Sequence, residues 1–271
     1  MTDSLAPWIG RTRAQSDVIA LDRAETMRAT LAEALAPLGD GDALPPLWHW
    51  IYFWEVAPLS ALGYDGHPAL GGFLPPITLP RRMWAGSRLR FRAPLPIGAR
   101  AVKHSRIEKI AEKEGRSGRL AFVTVSHRIE ANGVTCIEEE HDIVYRAPPA
   151  SGEVPRAGQP APSNAERSRT IEPSAVLLFR YSALTFNGHR IHYDRRFCTE
   201  SEGYPGVVVH GPLLATMMVA LAAERGRTIE RFSFRALAPV FDTAAFSVHV
   251  AYDKTWIANA EGQLCMVGEV G

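Results

Sequence analysis

The sequence is poor in cysteine and carries no excess of charge of either sign. Its three cysteines, Cys136, Cys198 and Cys265, are widely separated and odd in number. They therefore form neither a metal-ligand spacing nor a disulfide framework, which favours a reducing compartment. Thirty basic residues oppose 29 acidic ones, so the net charge is +1. This balance provides no general attraction for nucleic acid or for a membrane surface.

Targeting and membrane-spanning patterns are missing as well. The first residues, MTDSLAPW, lack the basic start and the apolar core of a secretory signal. The longest apolar run, Leu213 to Ala223, is about half as long as the roughly 20 residues that a membrane-spanning helix needs. We therefore expect a cytoplasmic protein with no membrane partner and no nucleic-acid partner.

A proline-rich stretch divides the chain. Residues 147–170 contain many prolines and show no apolar periodicity, which is typical of a linker. The predicted modules are residues 1–146 and 171–271. In the first module, we expect a helix over Leu21–Leu35, a strand over Trp50–Val56 and an antiparallel meander over residues 87–145.

The second module contains the most apolar helix of the chain. Gly211–Arg225 predicts a helix that is apolar nearly all round and must therefore be buried. Val176–Tyr181 predicts a strand, and Thr185–Gly206 predicts a long polar connection. Further strands are expected over Thr228–Leu237, Ala244–Asp253 and Leu264–Val267.

A buried helix followed by an antiparallel meander is the arrangement of the hot-dog fold, in which a sheet wraps around a helix. The first module has the meander but a more polar helix, so it is expected to be a degenerate copy. The predicted fold class is α+β. The architecture is a double hot-dog, with a degenerate N-terminal module and a catalytic C-terminal module.

One short segment of the second module is unusually dense in polar and aromatic side chains: Asn187, His189, Arg190, His192, Tyr193 and Asp194. A histidine exchanges a proton near neutral pH, so His192 is the candidate base. The N–H of Gly211, at the start of the predicted buried helix, is suited to stabilising an oxygen that gains negative charge. A base and such a donor are what the hydration of an enoyl thioester requires.

Two motifs in this module resemble a known family. Thr185-Phe-Asn-Gly-His-Arg-Ile-His192 resembles the Ser/Thr-Gly-Asp-x-Asn-Pro-Ile/Val-His motif of the MaoC-like and (R)-specific enoyl-CoA hydratases, and Val209-His-Gly-Pro-Leu213 resembles their helix start. With Gly72–Pro76 and Leu79–Gly86, the chain is similar to a branch of mesaconyl-C4-CoA (3-methylfumaryl-CoA) hydratases, itaconyl-CoA hydratases and fungal 3-hydroxyacyl-thioester dehydratases. The resemblance implies that His192 is the catalytic histidine.

The chain departs from the family motif at Asn187, which stands where the family has a catalytic Asp. An amide cannot remove a proton as that Asp is expected to, but it can orient a water molecule. The departure leaves His192 as the sole base, or as a base that Asp194 assists. Both alternatives stay open at this point.

Seven further residues are candidates for binding the substrate. Arg81, Arg82 and Arg190 suit the phosphates of a thioester carrier or an acyl carboxylate, because a guanidinium group matches both. A solvated charged surface is the alternative for the first two. The other candidates are Trp84, which could equally belong to the core, His189, Val209 and His210, which could instead brace the turn before the helix.

A metal site and a resident cofactor are not expected. His189, His192 and Asp194 have the composition of a two-histidine, one-carboxylate metal site, but the resembling family uses no metal. The resemblance implies CoA only as part of the substrate. The expected partner is an acyl-CoA, with a second copy of the chain in a homodimer as an open option.

The leading prediction is a hydro-lyase that hydrates mesaconyl-C4-CoA to a 3-hydroxyacyl-CoA of the citramalyl-CoA type. The alternatives within enzymes are an itaconyl-CoA hydratase, a 3-hydroxyacyl-CoA or acyl-carrier-protein dehydratase of fatty-acid synthesis, and a thioesterase. From another class, the chain could be a non-catalytic acyl-CoA-binding module. The sequence does not choose between CoA and a carrier protein as the carrier.

Overall fold

The computed structural model describes residues 5–31, 35–115, 118–147, 158–224 and 226–271. Three α-helices are present in these ranges: α1 Leu21–Leu31, α2 Ala175–Thr185 and α3 Gly211–Ala223. The strands are β1 Thr12–Val18, β2 Arg81–Phe91, β3 Arg100–Gly115, β4 Gly118–Ala131, β5 Val134–Arg146, β6 Arg167–Ile171, β7 Arg231–Ala236, β8 Phe246–Ala251, β9 Lys254–Ala258 and β10 Leu264–Val270.

The ten strands form one sheet made of two five-stranded halves. Counted from its own edge, each half places its first, third, fourth, fifth and second strands in that order. It runs β1-β3-β4-β5-β2 in the first half and β7-β10-β9-β8-β6 in the second. All of these pairs are antiparallel, and β2 pairs with β7 at the centre, from Gly86 opposite Arg235 to Arg90 opposite Arg231. Each half also begins with a strand and a helix, and α1 contacts α2. The order therefore has the internal repeat that a double hot-dog requires.

The second half wraps its sheet around α3, as the apolar pattern predicts. This helix packs against β7, β8, β9 and β10 and buries Leu213, Leu214, Met218 and Leu221 almost completely. Burying a side chain of this size stabilises the fold by about 2 kcal/mol. β10 can approach the helix closely because Gly268 has no side chain. A Cβ atom at this position would lie 2.8 Å from Cε of Met218.

The first half lacks a counterpart of α3 among its described residues. Between α1 and β2, the described chain contains only the single 3-10 turns Trp48–Ile51 and Leu59–Ala61. The inner face of the sheet is correspondingly polar: β3 contributes Lys103 and β5 contributes Glu139 and His141. This half is the degenerate copy, and its interior is lined by side chains that can bind polar groups.

Two strand predictions are wrong. Trp50–Val56 is not a strand: the chain makes the 3-10 turn Trp48–Ile51, and Phe53 has a positive φ of 57°. Val176–Tyr181 lies inside the helix α2, whose Ser174 hydroxyl caps it by accepting a hydrogen bond from the N–H of Leu177. Short apolar runs of this kind fit a buried helix and a buried strand equally well.

Several boundaries also differ from the predictions. Strand β6 starts at Arg167, inside the range expected to be linker, and residues 148–157 of that range lie outside the described part of the chain. Strands β1 and β9 were not predicted at all. The connection Thr185–Gly206 contains the 3-10 turn Arg190–His192 and the one-turn π-helix Phe197–Ser201. No helix in the described ranges is long and apolar enough to cross a membrane.

The junction of the two halves generates a stability prediction. A Cβ atom on Gly86 would lie 2.3 Å from the carbonyl oxygen of Phe234 on β7. Gly86→Ala should therefore lower the free energy of unfolding by about 2 kcal/mol or more, because the backbone of one strand must shift. Urea unfolding measures this change. Gly72→Ala is the control, because a Cβ there has nothing within 4 Å, and an equal loss in both variants would contradict the expectation.

Candidate active site

The dense polar segment follows directly after α2. The helix ends at Phe186, which adopts the left-handed conformation with a φ of 50°. Trp54 of the first half fixes this end: its ring stacks on Phe186 at 5.2 Å, and its indole N–H donates to the carbonyl oxygen of Leu184. Asn187 then accepts a hydrogen bond from the N–H of His189 at 3.0 Å. These contacts turn the chain inward toward His192.

His192 is buried and held in one tautomer. Its Nδ1 lies 2.8 Å from the carbonyl oxygen of Val208, which is only an acceptor, so Nδ1 carries the proton and Nε2 is free to accept one. The side chain is 8% exposed. Burial lowers its pKa to about 4, although the Val208 hydrogen bond opposes this shift. The ring is therefore a neutral base at physiological pH.

The start of α3 lies beside this ring. His192 stacks on His210 with ring centres 3.8 Å apart, and His210 is the residue immediately before Gly211. A hydrogen bond between Nε2 of His210 and the Ser182 hydroxyl fixes the second ring from α2. The first N–H groups of a helix have no acceptor within the helix. The predicted base and the predicted N–H donor of Gly211 thus belong to one site, with His210 between them.

A loop of the first half completes the site, and the sequence did not reveal it. His67 packs on His189 with ring centres 3.9 Å apart, and His189 meets His192 edge to face at 5.4 Å. Asp65 binds Nδ1 of His67 at 2.9 Å. Burial opposes the shift, but the bonds and charge of His67 lower the pKa of Asp65 to about 2. Four imidazole rings therefore run from the first half to α3.

Part of this cluster has the composition of a metal site. Within the described ranges, one set of three side chains has ligand atoms within 4.8 Å of one another: Asp65, His67 and His189. This set differs from the combination of His189, His192 and Asp194 that the sequence offered. The carboxylate of Asp65 is already bound to His67 in this arrangement.

Two of the predicted site residues bind each other. Asp194 and Arg190 form an ion pair at 2.7 Å. Asp194 also accepts from the N–H of Phe197, and Arg190 also donates to the carbonyl oxygen of Tyr64. These contacts hold the segment around His192 in shape. Assistance of His192 by Asp194, and substrate binding by Arg190, both stay predictions.

The arginines of β2 differ in their surroundings. Arg81 forms an ion pair with Glu202 at 2.9 Å, and its guanidinium lies over the ring of Tyr204. Arg82 is half-buried and has no carboxylate within 4.0 Å in the part of the chain that the structure describes. Its positive charge lowers the pKa of His67, after the larger effect of burial and against the Asp65 hydrogen bond. It also lowers the pKa of His189, after burial and the neighbouring histidines. Arg82 is therefore the available cation beside the imidazole rings.

Trp84 and Val209 have mainly packing contacts. Trp84 lies on β2 with its ring 4.0 Å from that of His141 and 4.8 Å from that of Trp50. Its indole N–H donates to the hydroxyl of Ser87. Val209 is buried, and its N–H donates to the carbonyl oxygen of Val240. Contact of either residue with a substrate stays a prediction.

Comparison with known proteins places the chain in a family. A family model described as hydroxyacyl-thioester dehydratase type 2 matches residues 47–242. The chain belongs to this family. It is 52% identical over 241 residues to mesaconyl-C4-CoA hydratase of Chloroflexus aurantiacus, covering 88% of this chain and 86% of that protein. It is an enzyme of the hydratase and dehydratase type.

Other relatives support the fold. The mitochondrial hydroxyacyl-thioester dehydratase type 2 of Schizosaccharomyces pombe is 30% identical over 226 residues, covering 73% of this chain and 75% of that protein. The crystal structure of HtdX from Mycobacterium tuberculosis superposes with a TM-score of 0.68 at 17% identity, covering 96% and 98%. A second M. tuberculosis structure, described as a double hot-dog, has a TM-score of 0.57 at 12% identity, covering 97% and 95%. The α+β double hot-dog prediction is confirmed.

Asp65 and His67 are the functional candidates that the sequence did not reveal. They stand in Gly63-Tyr-Asp-Gly-His67, a glycine-rich stretch without periodicity, more than 120 residues before the motif they touch. The only available signal was the composition of this stretch, a carboxylate and an imidazole on either side of Gly66. Composition alone could not indicate which distant segment the loop contacts.

Buried neutral histidines make the stability depend on pH. Unfolded histidines bind protons near pH 6.5, whereas burial lowers the pKa of His192 to about 4. Between pH 7 and pH 5 the unfolded chain takes up protons that the folded chain does not, so stability falls as the pH falls. His192 alone should account for about 2 kcal/mol of this loss.

Urea unfolding at pH 7 and pH 5 measures the effect. His192→Gln should lose less stability than the wild type over this interval. The exposed outer-face variant His104→Gln is the control. If His192→Gln keeps the full wild-type loss, His192 is not the neutral buried group that its contacts indicate.

Proposed function

We propose that the chain hydrates mesaconyl-C4-CoA to a 3-hydroxyacyl-CoA. The observation that carries the proposal is the position of His192, a neutral imidazole with a free Nε2 that lies beside the start of α3. The C. aurantiacus relative, a mesaconyl-C4-CoA hydratase at 52% identity, supports the choice of substrate. No other part of the described chain brings a free base and a helix start together in this way.

Each step of the reaction has a residue to perform it. Nε2 of His192 accepts a proton from water, and the oxygen of that water bonds to the β-carbon of the enoyl thioester. The electron pair of the double bond moves toward the thioester carbonyl, whose oxygen the N–H of Gly211 stabilises. The imidazolium then returns the proton to the α-carbon. Asn187 contributes its side-chain amide to orienting the water.

Arg82 suits the free carboxylate of such a substrate. Mesaconyl-C4-CoA carries this carboxylate on the carbon that water attacks, so the group must lie close to His192. Arg82 is the half-buried guanidinium next to the histidine rings, and within the described residues no carboxylate neutralises it. Arg81 and Arg190 already bind Glu202 and Asp194. Of the three candidate arginines, Arg82 is therefore our choice for the acyl carboxylate.

The polar interior of the first half supports a charged acyl group over a fatty one. Lys103 is half-buried there, and burial lowers its pKa to about 8, with the nearby charge of Arg13 acting in the same direction. Lys103 and Arg82 both lower the pKa of His141, after burial. Glu139 and Asp142 raise the pKa of the same imidazole, so charges of both signs surround it. Such an interior disfavours a long hydrocarbon chain.

The proposed roles need no resident cofactor, because CoA arrives as part of the substrate. The same residues catalyse dehydration in the reverse direction. A hydroxyacyl-thioester dehydratase, which is what the S. pombe relative is, is therefore the second candidate. The carrier, the cytoplasmic location and a homodimer stay predictions.

The central test removes the imidazole. His192→Ala should reduce hydration of mesaconyl-C4-CoA by roughly 10²- to 10⁴-fold, because the base is lost. Loss of enoyl-thioester absorbance measures turnover, and a thiol assay checks that no free CoA appears. His104→Ala, on the exposed outer face of β3, should retain wild-type turnover. A His192→Ala enzyme as fast as the wild type would rule out the proposed base.

The role of Arg82 has its own test. Arg82→Gln should lower kcat/KM for mesaconyl-C4-CoA by about 10²-fold, the worth of charge-assisted hydrogen bonds to one carboxylate. Crotonyl-CoA lacks the free carboxylate, so no such bonds are lost. With this substrate, the kcat/KM of Arg82→Gln should stay within about threefold of the wild-type value.

The matched control for this test is Arg88→Gln, on the same strand. Arg88 binds Glu140 and Asp142 on the outer face of the sheet, so its loss should affect neither substrate. Equal losses on both substrates in Arg82→Gln would show that this arginine supports the fold of the site and does not select the carboxylate.

A further inference from the structure

The loop that carries Asp65 and His67 is docked tightly on the catalytic segment. Gly66 has a φ of +84°, and a Cβ there would lie 2.0 Å from the carbonyl oxygen of Gly188. The N–H of Arg190 donates to the carbonyl oxygen of Asp65 at 2.9 Å. The Gly66–Gly188 contact and this hydrogen bond fix the loop against both sides of His189. The position of His67 is therefore set by backbone contacts and does not depend on its side chain alone.

Both carboxylate oxygens of Asp65 bind His67. One accepts from the backbone N–H of His67 at 3.0 Å, and the other binds Nδ1 at 2.9 Å. A carboxylate can only accept, so Nδ1 carries the proton and Nε2 of His67 is an acceptor. No hydrogen-bond partner of Nε2 lies within the described ranges. A second proton on His67 would lower the pKa of His192, after the larger effect of burial, so the two rings lie within electrostatic reach of each other.

The site needs such an acceptor because of Asn187. The family motif has a carboxylate at this position, whereas this chain has an amide whose oxygen already accepts from the N–H of His189. An attacking water has two O–H bonds, and both must be held for its lone pair to face the β-carbon. His192 can accept one of them. The amide oxygen of Asn187 has one lone pair left and carries no charge, so it is a weaker acceptor than the carboxylate of the family motif.

We propose that His67, fixed by Asp65, is a further catalytic residue: its Nε2 accepts a hydrogen bond from the attacking water and takes the place of the carboxylate that position 187 lacks. One water proton moves to Nε2 of His192, and the oxygen bonds to the β-carbon. The imidazolium of His192 then returns that proton to the α-carbon. The second O–H stays intact and points at His67, which remains neutral throughout.

The role of Asp65 follows from this arrangement. It selects the tautomer of His67 in which Nε2 accepts. In Asp65→Asn, the amide can donate to Nδ1, which moves the ring proton to Nε2 and turns an acceptor into a donor. Asp65 is thus a positioning residue that acts through His67. Its loss should matter only while a histidine is present at position 67.

The inference rests on the proposed hydration, and the test uses the full chain with mesaconyl-C4-CoA. His67→Ala and Asp65→Asn should each lower kcat by roughly 10²-fold with KM changed less than about threefold. His67→Gln should retain more activity than His67→Ala, because a side-chain amide oxygen can still accept from water. The double variant Asp65→Asn/His67→Gln should be no slower than His67→Gln alone.

A second histidine–carboxylate pair is the matched control. His104 and Glu130 lie 3.5 Å apart on the outer face of the sheet. His104→Gln and Glu130→Gln should keep the wild-type kcat. Thermal unfolding of every variant separates a loss of structure from a loss of catalysis.

Several outcomes would overturn the inference while leaving the hydration intact. One is a wild-type kcat in His67→Ala. Another is a double variant whose loss of kcat equals the product of the losses in the two single variants. A third is a loss of kcat that runs parallel to the loss of Tm across all variants. Activity that a chelator abolishes and zinc restores would also overturn it, since Asp65, His67 and His189 would then be metal ligands. A wild type that hydrates no enoyl thioester overturns the proposed function, and this inference with it.

Discussion

The hydrogen bond between Nδ1 of His192 and the carbonyl oxygen of Val208 is the contact on which the site depends. It joins the segment after α2 to the segment that enters α3. A second bond, from the N–H of Val208 to the carbonyl oxygen of Ile191, ties the same segments together. The tautomer of the base and its distance from the helix start are therefore fixed by one backbone arrangement. Without the Val208 hydrogen bond, the ring proton could lie on either nitrogen, and Nε2 of His192 would not be fixed as the acceptor.

The duplicated sheet explains why one site draws on both halves. The two five-stranded halves meet at β2 and β7. In the second half, α3 fills the concave face with apolar side chains. In the first half, no helix of this length covers that face within the described ranges, and Glu139 lies buried there, bound by His49, Trp50 and Ser87. Polar side chains thus occupy part of the face that apolar α3 covers in the second half.

The sequence could predict those parts of the structure in which local pattern and burial agree. The all-round apolar pattern of Gly211–Arg225 has few explanations other than a helix inside a sheet, and the alternation of Phe232 and Phe234 with exposed arginines specified β7. Val176–Tyr181 was assigned wrongly because an apolar run of that length has no diagnostic period. The capping hydroxyl of Ser174 was the overlooked signal.

The candidate site was only partly predictable for a different reason. His192 and Gly211 lie within one module and one motif, so their proximity follows from local chain direction. Asp65 and His67 reach the site through a loop contact across more than 120 residues, and such a contact depends on shape: the absence of a Cβ at Gly66. The ion pair of Arg81 with Glu202 likewise depends on the fold, because more than 100 residues separate the two side chains along the chain.

The charged groups of the site lie at one end of the row of imidazole rings formed by His67, His189, His192 and His210. Four imidazole rings in contact cannot all be charged, and burial lowers the pKa of each of them. The carboxylate next to this row, Asp65, lies at its first-half end, and Arg82 lies near the same end. A carboxylate bound at Arg82 would therefore meet this cation at the end where Asp65 also lies, and neutral rings along the rest of the row. If Arg82 binds the substrate carboxylate as proposed, the thioester lies toward the other end of the row, where the N–H groups at the start of α3 can stabilise negative charge.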